Sequence, residues 1–451
     1  MSKKIIIPAA IFAVILLVWI ARVPLSNHYY RKGAGYMSEK LYEDARTNYE
    51  RAVRIRPGMT DARFGQALCE AALENHELAV SLFSVIIEKG RDFAPAFFYR
   101  GVSKIATGNF EGAAGDFTRS LEMEYELAAS YTNRGRAYKD LNDTARALED
   151  FTGAIEADST YGPAWFERGA LRAGLEDFDR AVYDYNMAIK FEPDNPELYR
   201  LRGASMASQE NFIGAIEDYD RLIGMESGYN GLYKQRGIFK RRISDYDGAV
   251  TDLSRALEYD PDDGEIFFYR GISFANMGDL DRAMEDFTRS VELDAGNARA
   301  WLNRGLAWLR SEDHGNAVHD FNRSVSLDDS NAQSYYLRGT ARAMQGDYRG
   351  SVDDFTKALD LDPDHAMAFF NRGISKGILG MHEEALDDYN QSIELEPANP
   401  GAYLQRAVSR INLNDMSGGC EDLETALEMG LKEAEPMLRM YCQAGENVIV
   451  R

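Results

Sequence analysis

Residues 264–297 read GEIFFYRGISFANMGDLDRAMEDFTRSVELDAGN, and the 34 that follow, residues 298–331, read ARAWLNRGLAWLRSEDHGNAVHDFNRSVSLDDSN. Aligned without a gap, they pair Phe267 with Trp301, Arg270 with Arg304, Gly271 with Gly305, Ala283 with Ala317, Asp286 with Asp320 and Phe287 with Phe321. The period extends in both directions. Gly33, Gly101, Gly135, Gly169, Gly203, Gly237, Gly271, Gly305, Gly339 and Gly373 lie on one progression of step 34, and its missing members are Ala67 and Ala407. With Ser26 as position 1, twelve units run to Glu433 without an insertion. Position 4 is aromatic in all but one unit, where Arg63 stands, position 20 is small throughout, and position 24 is aromatic or leucine throughout. A fixed period of this length marks a repeat architecture, and the usual division of a chain of 451 residues into a few globular domains does not apply.

Within a unit, positions 4, 8 and 11 share one helix face, and positions 20, 24 and 27 share another, so each unit predicts two amphipathic helices facing each other. Near position 15, Gly108, Gly278, Gly346, Gly380 and Asn142 supply residues that tolerate positive φ at a helix end. At position 32, Pro57, Pro193, Pro261, Pro363 and Pro397 stop the second helix. A single hairpin cannot bury both its faces, so stability has to come from stacking against neighbours.

These columns resemble the tetratricopeptide repeat (TPR) over residues 26–433; residues 60–93 fit least well, lacking the aromatic at position 4 and the glycine. The resemblance implies an all-α fold, a right-handed superhelical solenoid of helical hairpins whose first helices line a concave groove holding extended segments of other proteins. It places positions 2, 5, 9, 12 and 13 on that face. Position 9 is mostly apolar, with Ile272 and Ile374 as candidate contacts and Arg136 the exception; position 5 adds Phe268 and Phe370. Arg200 and Lys234 at position 5, with Arg241 and Arg242 at positions 12 and 13, form a basic exception expected to receive an acidic segment or a carboxylate terminus. The clamp by which some family members hold chaperone tails needs lysine at position 5 and asparagine at position 9. Lys234 is followed there by Ile238, so that partner is not expected.

Position 7 is arginine and position 23 aspartate in the same ten units, from Arg100 with Asp116 to Arg406 with Asp422, including Arg134 with Asp150 and Arg270 with Asp286. The first two units lose both together, having Lys32 with Asn48 and Gln66 with Leu82. Joint loss predicts a contact between the columns, a structural ladder of guanidinium–carboxylate pairs.

The ends differ from the repeats. Ile5 to Ala21 is an uncharged apolar run closed by Arg22 and Pro24, and residues 1–25 are expected to form one transmembrane anchor. The alternative is a signal peptide whose cleavage releases a soluble, exported binding protein. The short tail before the anchor favours an extracytoplasmic repeat domain. At the other end, residues 434–451 are expected to provide a capping helix from Pro436 and a tail, with Cys420 close to Cys442. In an exported body that pair forms a disulfide; in a reducing compartment it stays as two thiols.

With 51 basic and 73 acidic residues the net charge is −22, which argues against a nucleic-acid partner, since phosphates need a broad basic face. The three cysteines and six histidines form no CxxC pair or HExxH motif, and no cofactor or small-molecule substrate is expected. The whole reads as a non-enzymatic, membrane-tethered scaffold for protein partners.

Overall fold

The computed structural model describes residues 9–90, 92–225 and 231–442, with side chains from residue 21 onward. The described residues form 25 helices and no strand. The first 24 follow one another as twelve hairpins and the last, Ala434–Tyr441, stands alone. The chain divides into two compact units, Met1–Ser227 and Gly228–Arg451. The first holds six hairpins; the second holds the other six and the terminal helix.

One turn recurs within all twelve hairpins. Position 15 is left-handed in every one, with φ between +58° and +84°, at Lys40, Glu74, Glu176, Glu210, Ser244 and Glu312 as well as at the glycines and asparagines. A side chain there costs about 1–2 kcal/mol. After Asn142, Glu210, Ser244, Glu312 and Asn414 the next residue offsets much of that cost, and after three of the glycines it caps in the same way. Asn109, Asp143, Asn211, Asp245, Asp279, Asp313, Asp347 and Asp415 each accept a hydrogen bond from the backbone N–H three residues on, capping the second helix, and such a cap contributes about 1 kcal/mol.

The glycine column follows from the ring at position 24. A Cβ on Gly135 would lie 2.7 Å from Phe151, on Gly305 2.7 Å from Phe321, and on Gly373 2.6 Å from Tyr389. These rings are buried, and each sits against the bare backbone of the first helix while position 20, alanine in most hairpins, lets the second helix close in. Between hairpins the contacts are also small and partly polar: Ser120 and Ser130 share a buried 3.0 Å hydrogen bond in the first unit, as do Ser324 and Ser334 in the second.

The N-terminal helix runs without interruption from Ala9 to Ser38 with Pro24 inside it. The boundary expected at residue 25 is therefore not a break in the backbone. Proline forfeits a single helical N–H, and the helix carries on as the first helix of the first hairpin, with Ser26 buried and its Oγ donating to the Val23 carbonyl at 3.0 Å. Among the described residues no helix is long and apolar enough to cross a membrane; residues 5–8 of the expected anchor, and the side chains of residues 9–20, lie outside the described part. At the far end, Ala434 and Leu438 of the terminal helix are buried against Ala407, Leu423 and Ala426, and Cys420 is bonded to Cys442 with a Cα–Cα distance of 5.8 Å.

Two neighbouring glycines test the packing account with opposite signs. Gly373→Ala forces a methyl into the fully buried Tyr389 ring and is expected to cost about 1–3 kcal/mol. At Gly377 the nearest atom to an added methyl, Tyr389 Oη, would be 3.5 Å away, an ordinary contact, so Gly377→Ala should gain up to about 1 kcal/mol of helix propensity. Urea unfolding midpoints of the two variants should lie on opposite sides of the parent's.

Candidate partner-binding face and the ladder behind it

The position-7 arginine meets the position-23 aspartate of its own hairpin in all ten cases. Nε donates to one carboxylate oxygen at 2.6–3.0 Å and Nη2 to the other at 2.5–2.9 Å. This is the two-toothed geometry that a planar guanidinium offers a carboxylate. Arg134–Asp150 and Arg270–Asp286 are typical, at 2.7–2.8 Å and 2.8 Å. Each guanidinium also lies over the position-4 ring, 4.8–5.6 Å from its centre. Columns 4, 7 and 23 are thus one device, and residues 60–93, with Arg63, Gln66 and Leu82 in those places, lack all of it.

A third donor reaches out of the hairpin. Nη1 of Arg100, Arg134 and Arg168 donates to Ser84, Thr118 and Thr152 of the preceding hairpin at 3.0–3.1 Å, and Nη1 of Arg270 and Arg372 does so to Ser254 and Thr356 at 3.0 Å. Asn186, Asn322 and Asn390 serve Arg202, Arg338 and Arg406 in the same way. Sequence reasoning missed this column at position 25; its signal was a run of small polar residues 16 positions before each arginine.

In six hairpins a position-11 cation also reaches the aspartate, for example Lys104 to Asp116 and Lys376 to Asp388, both at 2.8 Å. Asp218 and Asp286 lack it, having Met206 and Phe274 at position 11. Burial pushes both carboxyls above the usual carboxylate range, outweighing Arg202 and Arg270 respectively.

The predicted groove residues separate by position. Phe268 does not face outward: it is 2% exposed, packed on Phe287 and Tyr269. A ring at position 5 is drawn onto the position-24 ring, because burying aromatic area outweighs leaving it in a groove. Phe370 is half-buried with its ring centre 6.3 Å from that of Tyr389, and Ile272 packs against the core around Phe268. Ile374 lines an open recess of about 280 Å³ with Thr340, Ala343, Met344, Asn371, Ser375, Ile378 and the edges of Tyr348 and Phe355.

The four basic candidates are divided between the two units and are engaged differently. Arg200 belongs to the first unit and pairs with Glu197. Lys234, in the second, is held by Asp263 at 2.6 Å and Glu265 at 2.7 Å, so its charge is already met. Arg241 is half-buried over the Tyr269 ring, 5.2 Å from its centre, and Arg242 is exposed. In the first unit Arg136 and Lys139 are likewise spent on Glu167, at 2.8 and 2.7 Å. Among the described residues no group of three or more His, Cys, Asp or Glu side chains is placed to hold a metal ion.

Tetratricopeptide repeat family models match residues 30–95, 99–162, 132–196, 240–298 and 270–332, more than half of the chain, and further repeat models match residues 332–365 and 367–399. The chain belongs to the tetratricopeptide repeat family. Similar solved structures include MamA, residues 41 to the end, from Desulfovibrio magneticus RS-1, 24% identical over 38% of this chain and 96% of that one, with a TM-score of 0.36. YrrB, described as a TPR protein with an unusual peptide-binding site, is 20% identical over 40% of this chain and 92% of its own, with a TM-score of 0.38. The APC/C hetero-tetramer Cut9–Hcn1 aligns over 92% of this chain and 96% of its own at 15% identity, with a TM-score of 0.41. No curated relative matches the chain.

Removing one member of a TPR ladder pair strands the other. Arg270→Met leaves the Asp286 carboxyl buried without its partner, at an expected cost of about 3 kcal/mol, while Arg270→Met with Asp286→Leu should recover most of the loss. In the single variant the folded-state pKa of Asp286 rises further above its unfolded value. The folded state then holds a proton that the unfolded chain has released, so stability is retained below the unfolded pKa and lost as pH rises through the folded one. Unfolding midpoints should therefore show the deficit in full at pH 7 and shrinking toward pH 4.

Proposed function

We propose that this TPR protein is an interaction scaffold, tethered to a membrane through residues 5–21, whose repeats hold segments of one or more protein partners outside the cytoplasm. The observation that carries the binding role is the recess around Ile374. It opens between the first helices of two successive hairpins, Ala332–Met344 and Ala366–Ile378. Met344 and Ile378, at its rim, are 57% and 56% exposed. Burying such side chains against a partner stabilises a complex by about 25 cal/mol per Å² of apolar area. Of the polar groups in the lining, Ser375 is buried and bonded to Ser351, and Asn371 donates to Tyr336 Oη at 3.1 Å, so the hollow presents a partner mainly with apolar surface. An apolar hollow with few polar groups suits the apolar side chains of an extended segment.

The tether rests on the apolar run of the sequence and on the continuous helix Ala9–Ser38, which would hold the first hairpin next to the lipid headgroups. The Cys420–Cys442 bond suits an oxidising compartment.

A displayed library of random dodecapeptides tests the groove. Selection on the full chain should enrich sequences with apolar anchors, and Ile374→Glu should weaken the selected peptides at least about tenfold, the loss of roughly 1.4 kcal/mol, while leaving the helical circular dichroism unchanged. Selected peptides that bind the Ile374→Glu chain as well as the parent would place recognition elsewhere.

A further inference from the structure

Arg51, Arg119, Arg221, Arg255, Arg289 and Arg323 all stand at position 26, on the second helix of a hairpin. In three of these hairpins the side chain lies over the position-4 ring: Arg51 is 5.7 Å from the centre of Tyr29, Arg119 5.9 Å from Phe97 and Arg323 5.7 Å from Trp301. Phe97 and Trp301 thus carry two guanidinia each, one from the ladder and one from position 26. The position-26 arginine also finds an acid at position 29, as Arg119 does with Glu122, Arg255 with Glu258, and Arg289 with Glu292 at 3.3 Å.

The fourth hairpin, Leu127–Asp140 with Thr144–Ala157, keeps the ring and the acid but lacks the arginine. Tyr131 is at position 4, with Arg134 5.5 Å from its centre, and Glu156 is at position 29, while position 26 is Gly153. An open recess of about 510 Å³ takes the place of the side chain, lined by Tyr131, Arg134, Glu149, Asp150, Gly153 and Glu156 among others. Glu149 and Glu156 flank Gly153 about one turn to either side. Both are exposed, and neither forms an ion pair among the described residues, whereas Asp150 is already gripped by Arg134. Tyr131 is only half-buried.

We propose that this notch in the first unit binds an arginine side chain of a protein partner, which fills the place that the chain's own arginine fills in other hairpins. The incoming guanidinium lies on Tyr131 beside Arg134, as Arg119 lies on Phe97 beside Arg100, and donates to Glu156 and Glu149. The charge of Arg134 does not oppose it, being met by Asp150, and the lining sets that one cation against three acids. A planar, weakly hydrated guanidinium stacks on a ring where an ammonium does not, so the site favours arginine over lysine. Nothing at Ile374 is needed for it.

The test follows the Tyr131 ring resonance of the full chain labelled with ¹³C-tyrosine, assigned by its loss in Tyr131→Phe. Acetyl-Gly-Arg-Gly amide, acetyl-Gly-Lys-Gly amide and acetyl-Gly-Gln-Gly amide serve as probes at equal ionic strength. The arginine peptide should shift the resonance saturably, the lysine peptide only at higher concentration, and the glutamine peptide not at all. Glu156→Gln should weaken the arginine peptide about two- to fivefold, the scale of one exposed ion pair. Gly153→Arg, which supplies the missing side chain from within, should abolish the shift without loss of helical circular dichroism. The proposal is overturned if the lysine peptide binds as tightly as the arginine one, if Glu156→Gln changes nothing, or if a folded Gly153→Arg chain binds as the parent does. Should Gly153→Arg not fold, the variant at the exposed Glu156 decides alone. Ile374→Glu should leave this binding unchanged, so failure of either recess is read apart from the other.

Discussion

The position-7 guanidinium carries more of this structure than any other group. It rests on an aromatic ring in its own helix, grips an aspartate across its own hairpin, and donates once more to the hairpin before. A buried ion pair on its own is weak evidence for stability, because desolvation consumes much of the attraction. Here the remaining donor is satisfied by a neighbour, so the pair also sets the register between hairpins. This matters in a repeat array, where each unit is stable only through its neighbours. The first two hairpins, which lack the device, use other means: Asn48 donates to the Asp44 carbonyl at 2.8 Å, and Tyr49 packs against Gly33 and Gly65.

In a chain whose net charge is −22, a large share of the cations is taken up by acids of the TPR body itself. Lys234, Arg136 and Lys139 are occupied by acids of neighbouring helices, and six position-11 cations are folded into the ladder. In the second unit the packing leaves open the hollow at Ile374, where the groove proposed above would take its partner.

Much of the fold was legible because a 34-residue register converts each side chain into a column, and columns average out local noise. The ring over glycine, the small residue at position 20 and the arginine–aspartate pair all show as columns. The left-handed turn was half-legible. Gly108 and Gly278 announce it, but Glu210, Ser244 and Glu312 adopt the same φ where the capping residue at position 16 compensates, and no single residue reports such a trade. The binding face was less legible still. Position 5 looks alike in Phe268 and Phe370, yet one is sealed in the core and the other only half-buried. Likewise the charge of Lys234 gave no hint of the two acids, 29 and 31 residues on, that neutralise it. Long-range pairing of that kind is set by how one hairpin lies on the next, which composition does not record.

The most direct test of the register role is a double-mutant cycle between Arg372 and Thr356, which belong to adjacent hairpins and meet at 3.0 Å. Opening free energies of the helices Tyr348–Leu361 and Ala366–Ile378, from amide hydrogen exchange, would be compared for Thr356→Val, Arg372→Met and the pair. A coupling of at least about 0.5 kcal/mol between the two sites is the predicted result. Strict additivity would show that the third donor does not tie one hairpin to the next.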